Sequence, residues 1–135
     1  MVQGENMLRL NWYNRYSINN VELDNHHKKL FSIFNRMYDI CMENNDTVVL
    51  KLLVDELVYY SDYHFKAEEQ YMREIGYKDI DKHISEHKYF TEWVIDFKRN
   101  YITADLKICL DLIKFLGDWL RNHVIEEDKK IALNS

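Results

Sequence analysis

At 135 residues the chain has the length of one ordinary domain and can bury a core without crosslinks. It is 47% apolar and 30% charged, with no proline and three glycines, which favours long uninterrupted helices over a turn-rich β architecture. A net charge of −5 with both signs interspersed leaves no electrostatic footprint for nucleic acid or an anionic membrane surface, so neither is expected as a partner.

Residues 1–20 form an arm bearing Trp12, Tyr13 and Tyr16 that has no helical face of its own and is expected to pack across the rest of the molecule. It lacks the charged start, apolar run and small-residue cleavage site of a signal peptide. No segment is apolar enough to span a bilayer, and the expected location is cytoplasmic. The first helix is predicted over 21–44, because Leu23, His27, Leu30, Phe34, Met37 and Cys41 alternate steps of four and three, the period of a bundle seam. Asn44, Asn45 and Asp46 end it. The second is predicted over 47–75, with Leu50, Leu53, Leu57, Ser61, His64, Glu68 and Met72 on one stripe and Gly76 as its C-terminal stop.

The third helix, 80–101, carries Ile80, His83, His87, Phe90, Val94, Phe97 and Tyr101 at the same steps without a slip. After a turn near Ile102 and Thr103, the fourth, 104–133, carries Leu106, Cys109, Ile113, Leu116, Leu120 and His123. Four helices with short connections predict an all-α, up-down-up-down antiparallel four-helix bundle forming a single domain. Cys41 and Cys109 lie in apolar stripes and read as buried reduced thiols, with a regulatory disulfide as the minor reading.

Five of the six histidines and one glutamate occupy seam positions. Burying them unpaired would cost several kcal/mol. One histidine on such a stripe is ordinarily a hydrogen-bonded core residue; five in one small bundle reverse that reading. In an antiparallel pair, residues equally far from the connecting turn are level. His27 and His64 are each roughly eighteen residues from the first turn, and His83 and His123 each about twenty from the third. All five imidazoles, with Glu68, therefore meet near one end of the interior. His64 and Glu68, and likewise His83 and His87, are four apart and project from one face, as metal ligands do. Asp128 lies five residues after His123, too far around an ideal helix, so either it reaches inward or the helix distorts there.

These residues resemble the bacterial hemerythrins over nearly the whole chain. Trp12 to Ile18 is similar to that family's W-x-x-x-Y-S-V arm and Asp24 to Leu30 to its D-x-x-H-K-x-L segment. His64, Phe65, Glu68 and Glu69 match H-F-x-x-E-E, His83 and His87 the H-x-x-x-H pair, and Trp119, Leu120, His123 and Asp128 the closing W-L-x-x-H-x-x-x-x-D. The resemblance implies two iron ions, one held by His83, His87 and His123, the other by His27 and His64, bridged by Glu68, Asp128 and an oxo or hydroxo group. It also implies that Leu120 lines an oxygen pocket, with Phe31 and Trp119 as further walls or ordinary core. His26 stands where the family usually has glutamine, Lys78 where proline is common and Asn19 where glycine is common.

On that resemblance the ligand count leaves one coordination position open, which suits reversible dioxygen binding for storage, delivery or buffering, with no chemical turnover and so no enzyme. The alternative is an oxygen or redox sensing module. A slow di-iron oxidase is disfavoured, because oxidase-type bundles use Glu-x-x-His pairs and none of the five histidines has a glutamate three residues before it. Dioxygen is the expected partner and a monomer is favoured. His26, about 100° around the helix from His27, is expected to be exposed. Glu69, Glu126 and Glu127 fit a solvated face better than a ligand shell. Tyr59, Tyr60, Tyr63 and Tyr71 read as packing, with a redox or hydrogen-bonding role open to one of them.

Overall fold

The computed structural model describes residues 9–44, 46–100 and 105–133. The first eight residues of the arm, and residues 101–104, where a turn and the end of the third helix at Tyr101 are expected, lie outside the described residues. Helix α1 spans Val21–Asp39 and continues as a π-helical turn over Ile40–Asn44; α2 spans Thr47–Ile75 and α3 Ile80–Asn100. Helix α4, Leu106–Leu120, runs through a π-helical segment, Arg121–Glu127, into the short α5, Asp128–Leu133. Among the described residues there is no strand.

The ends of these helices follow from local chemistry. Asn20 and Asp46 precede α1 and α2, and each side-chain oxygen accepts an otherwise orphaned backbone N–H, from Leu23 at 3.0 Å and Val49 at 3.1 Å. Helix α2 stops at Gly76, whose φ of 66° is the left-handed conformation glycine adopts without steric cost. Gly76 N–H donates to Arg73 O and Tyr77 N–H to Met72 O, the paired closure of a Schellman cap. Tyr77 and Met72 then pack together with Ile131 of α5, so the cap also seals the end of the bundle.

The four long helices form an antiparallel bundle in which α1 packs on α2 and α4, and α2 on α3. Helices α3 and α4 meet through aromatic rings: Trp93 stacks on Phe115 at 3.6 Å, and Phe90 lies 4.3 Å from Trp119. At the α1–α4 crossing Gly117 has no side chain to spare, since a Cβ there would sit 3.2 Å from the Phe34 ring. Leu30, Phe34, Met37, Leu50, Leu57, Val94, Leu112 and Leu116 are buried along the central seam. Each contributes roughly 1.5–3 kcal/mol of hydrophobic stabilisation. Cys41 and Cys109 sit in this apolar half as free thiols in mutual contact, and burial pushes both thiols up, away from the reactive thiolate.

Residues 9–20 of the arm run alongside α1 over most of its length, from Asp39 back to Asp24. Asn35 exchanges two hydrogen bonds with the backbone of Leu10, at 2.9 and 2.8 Å. Asp24 accepts from Ser17 Oγ and from the Ile18 N–H. Lys129 donates to Ser17 O, and Arg9 pairs with Asp39. Asn19, at φ 61°, supplies the left-handed residue that turns the arm into α1; asparagine tolerates that region better than most side chains.

Candidate metal centre

Helices α1, α2 and α3 and the π-helical and α5 continuation of α4 contribute to one buried cluster. His27 comes from α1, His64 and Glu68 from α2, His83 and His87 from α3, His123 from the π-helical segment and Asp128 from the start of α5. His27, His64, Glu68 and Asp128 are 0% exposed, and the other three histidines no more than 3%, which leaves bulk water no access to their donor atoms. Each carboxylate faces two ways. Glu68 turns Oε1 towards Nε2 of His83, His87 and His123, at 3.0, 2.8 and 3.4 Å, and Oε2 towards Nε2 of His27 and His64, at 3.4 and 3.3 Å. Asp128 repeats the pattern, with Oδ1 at 2.6 Å from His83 and 3.1 Å from His123, and Oδ2 at 3.0 Å from His27.

Two overlapping sets of donors result, Glu68 with His83, His87 and His123, and His27, His64, Glu68 with Asp128. Five imidazole nitrogens and four carboxylate oxygens converge on one water-poor space. His64 Nε2 and Asp128 Oδ2 are buried there without a hydrogen-bond partner. Orphaned donors and acceptors of this kind are costly unless a cation completes them. Imidazole with carboxylate is a donor set for iron, zinc and related divalent ions, so the residues present fit a pair of metal ions.

Packing aims the rings. Phe65 stacks on His87 at 4.0 Å and 8°, and Trp119 on His123 at 4.3 Å and 16°. Trp12 of the arm lies against His27, with ring centroids 6.4 Å apart. Hydrogen bonds on the far ring nitrogens add to this: His87 Nδ1 lies 2.9 Å from Glu69 Oε2, and His123 Nδ1 3.3 Å from Glu86 Oε1, each placed for the ring N–H to donate to the carboxylate. Leu120 is buried one turn before His123 and part of the same core.

The buried charges of the cluster act on one another. Burial alone would push His27 and His83 down, but the neighbouring carboxylates of Asp128 and Glu68 hold both up at about 9. His123 is raised for the same reason, its largest upward pull being the charge of Asp128. Burial dominates at His64 and presses it down to about 4, and it lowers His26 too. Burial disfavours the charged forms of Glu68 and Asp128, yet the surrounding histidines hold both carboxyls below their ordinary range.

The position of Asp128 is explained by the helix that carries it. Five residues of α-helix rotate by about 500°, leaving Asp128 some 140° from the stripe that carries His123. The wider π-helical turns of Arg121–Glu127 absorb that rotation, and both side chains face the interior. Two outer residues depart from the expectations above. His26 is buried at 5% exposure, because α1 packs on α2 with a wider arc than its central stripe, and its Nδ1 meets His64 Nδ1 at 3.1 Å. The Glu69 side chain is mostly buried, at 17% exposure, and holds His87. Glu86 was not singled out at all: its partner His123 lies on a different helix, so no spacing within its own helix could reveal it. Glu126 is exposed, and Glu127 pairs with Lys130 and Lys82 rather than with the cluster.

Known proteins resemble this chain in sequence and fold. The family model for the hemerythrin HHE cation binding domain matches residues 20–132. The chain is 31% identical over 125 residues to the bacteriohemerythrin of Clostridium acetobutylicum, covering 88% of this chain and 95% of that protein. It is 32% identical over 106 residues to that of Methylococcus capsulatus, covering 78% and 80%. Its fold matches a crystal structure of wild-type hemerythrin with a TM-score of 0.80 at 26% identity, over 92% of this chain and 95% of that one. A bundle with its seven buried donors on these helices, matched by the family model from Asn20 to Ala132, belongs to the hemerythrin HHE cation binding domain family.

Proposed function

We propose that this chain binds dioxygen reversibly at a non-haem di-iron centre, as a protein of oxygen storage, delivery or buffering without chemical turnover. The observation that supports this most is the two-way placement of Glu68 and Asp128, each with one oxygen towards either histidine set. His83, His87 and His123 would hold one iron, His27 and His64 the other, and the two carboxylates would bridge them. A di-iron pair, when bound, supplies two electrons to dioxygen and an open coordination position.

The chain's own residues set the conditions for reversibility. With two histidines rather than three, the iron held by His27 and His64 would keep the open position. Leu120 and the aromatic rings around the cluster exclude water, which limits proton delivery and loss of the oxygenated form. Two bridging carboxylates in a histidine-rich shell leave little room for a second substrate, which favours binding over oxidation chemistry.

Metal analysis joined to optical spectra of the purified protein tests this reading. Two irons per chain, a colourless reduced form and a charge-transfer spectrum in air that reverses when oxygen is removed are the expected results. Two irons that oxidise with no reversible oxygenated form would overturn oxygen carriage in favour of a redox role. A steady oxygen consumption with added reductant would overturn it in favour of an oxidase.

A further inference from the structure

The three ligand histidines whose far nitrogens meet another side chain do not all meet the same kind of group. His87 and His123 lean on carboxylates, Glu69 and Glu86. His64 leans on another imidazole, that of His26, with the two Nδ1 atoms 3.1 Å apart and the rings edge to face at 85°. His26 is clamped from the other side by Tyr60 and Tyr63, whose ring centroids lie 5.8 and 5.1 Å away, and its Nε2 is 3.9 Å from Glu22 Oε1 near the surface.

Two ring nitrogens at this distance form a hydrogen bond only when one carries the proton and the other offers its lone pair. The direction is decided by the opposite edge of His64. Its Nε2 faces Glu68 Oε2 without a hydrogen-bond partner, so a metal there takes the Nε2 lone pair and the proton of His64 must sit on Nδ1. His26 is then the acceptor through Nδ1, and its own proton is on Nε2, on the side of Glu22.

We infer that His26 is a positioning residue of the metal centre: its Nδ1 accepts the Nδ1–H of His64 and locks that ligand with Nε2 aimed into the donor set of His27, Glu68 and Asp128. His26 and His64 thus form an imidazole–imidazole pair where the other ligand set has carboxylate–imidazole pairs, with the exposed Glu22 carboxylate 3.9 Å beyond it, outside hydrogen-bond distance. The neutral acceptor also places less negative charge behind His64 than Glu69 and Glu86 place behind His87 and His123. The inference rests on the reading of His64 as a ligand.

The test uses the full chain loaded with Zn²⁺, a diamagnetic probe. Long-range proton–nitrogen correlation of the imidazole rings should show His64 protonated at Nδ1 and His26 neutral with its proton on Nε2. A proton on His26 Nδ1 overturns the inference and requires no variant. In competition with a chelator, His26→Leu should weaken Zn²⁺ binding at one of two sites by about 10- to 100-fold, and His26→Gln, whose amide oxygen can accept the same proton, should restore most of it. Native affinity in His26→Leu, or an equal loss in both variants, would show that His26 acts only by filling space. His64→Ala separates the two levels: one Zn²⁺ lost per chain upholds the ligand reading whatever His26 does, and two retained overturns both.

Discussion

The proton inventory of the seven buried donors makes the metal-free chain sensitive to pH in both directions. His27 and His83, held at about 9 against an unfolded value of about 6.5, stabilise the fold fully below pH 6.5 and lose that contribution as the pH rises through 9. His64, pressed to about 4, favours the fold above 6.5 and opposes it as the pH falls through 4. Glu68 and Asp128, held below the carboxylate range, also lose their contribution as the pH falls. Thermal unfolding of chelator-treated protein should therefore peak near pH 6–7 and decline on both sides. A flat profile from 6.5 to 9 would remove the imidazolium–carboxylate pairs from this account. At the same scale, Leu120→Ala deletes a buried side chain beside His123 and should destabilise by roughly 2–5 kcal/mol. It should also admit water and speed loss of the oxygenated form, measured as the autoxidation rate in air; an unchanged rate would take Leu120 out of the oxygen pocket.

Among the elements, the connection between α2 and α3 and the π-helical segment matter most, because each sets where ligands arrive. Gly76 holds the left-handed position that lets α3 double back and bring His83 and His87 level with Glu68. Its surroundings are open, with nothing within 4 Å of an added Cβ, so Gly76→Ala isolates the backbone term. The expected cost is about 1 kcal/mol, a fall of about 4 °C in Tm for a chain of this length, with metal content unchanged. The π-helical turns of Arg121–Glu127 have the character of one extra residue in a helix, placed where two ligands need a common face. About half of the molecule's ligand geometry thus depends on where helices end or widen rather than on their regular portions.

For the molecule as a whole, the cluster ties all four long helices together at one end while hydrocarbon packing does so at the other. Seven buried polar groups would otherwise weaken that end, so metal binding and folding are coupled. A metal at a hundred times its dissociation constant adds about 2.7 kcal/mol, and chelation should lower Tm by on the order of 10 °C. Scanning calorimetry of loaded and chelated protein checks this; equal Tm values would mean that the metal-free ion pairs compensate fully.

Sequence alone carried the bundle and its inner lining, because a period of 3.5 to 3.6 residues states which side chains share a face without reference to any neighbour. His27, His64, Glu68, His83, His87 and His123 were legible for that reason, and Asn20, Asp46 and Gly76 declare helix ends through chemistry within a few residues. What tertiary structure decided is the angular width of each buried face and the partner across it. His26 is one residue off its stripe and reads as exposed until α2 covers it. Glu69 reads as solvent-facing until His87 arrives from another helix, and Glu86 gives no signal until His123 meets it. Asp128 carried a spacing that contradicted the α period, and only the widened helix reconciles it. Periodicity is a property of one helix, whereas burial and hydrogen bonding between helices belong to the pair.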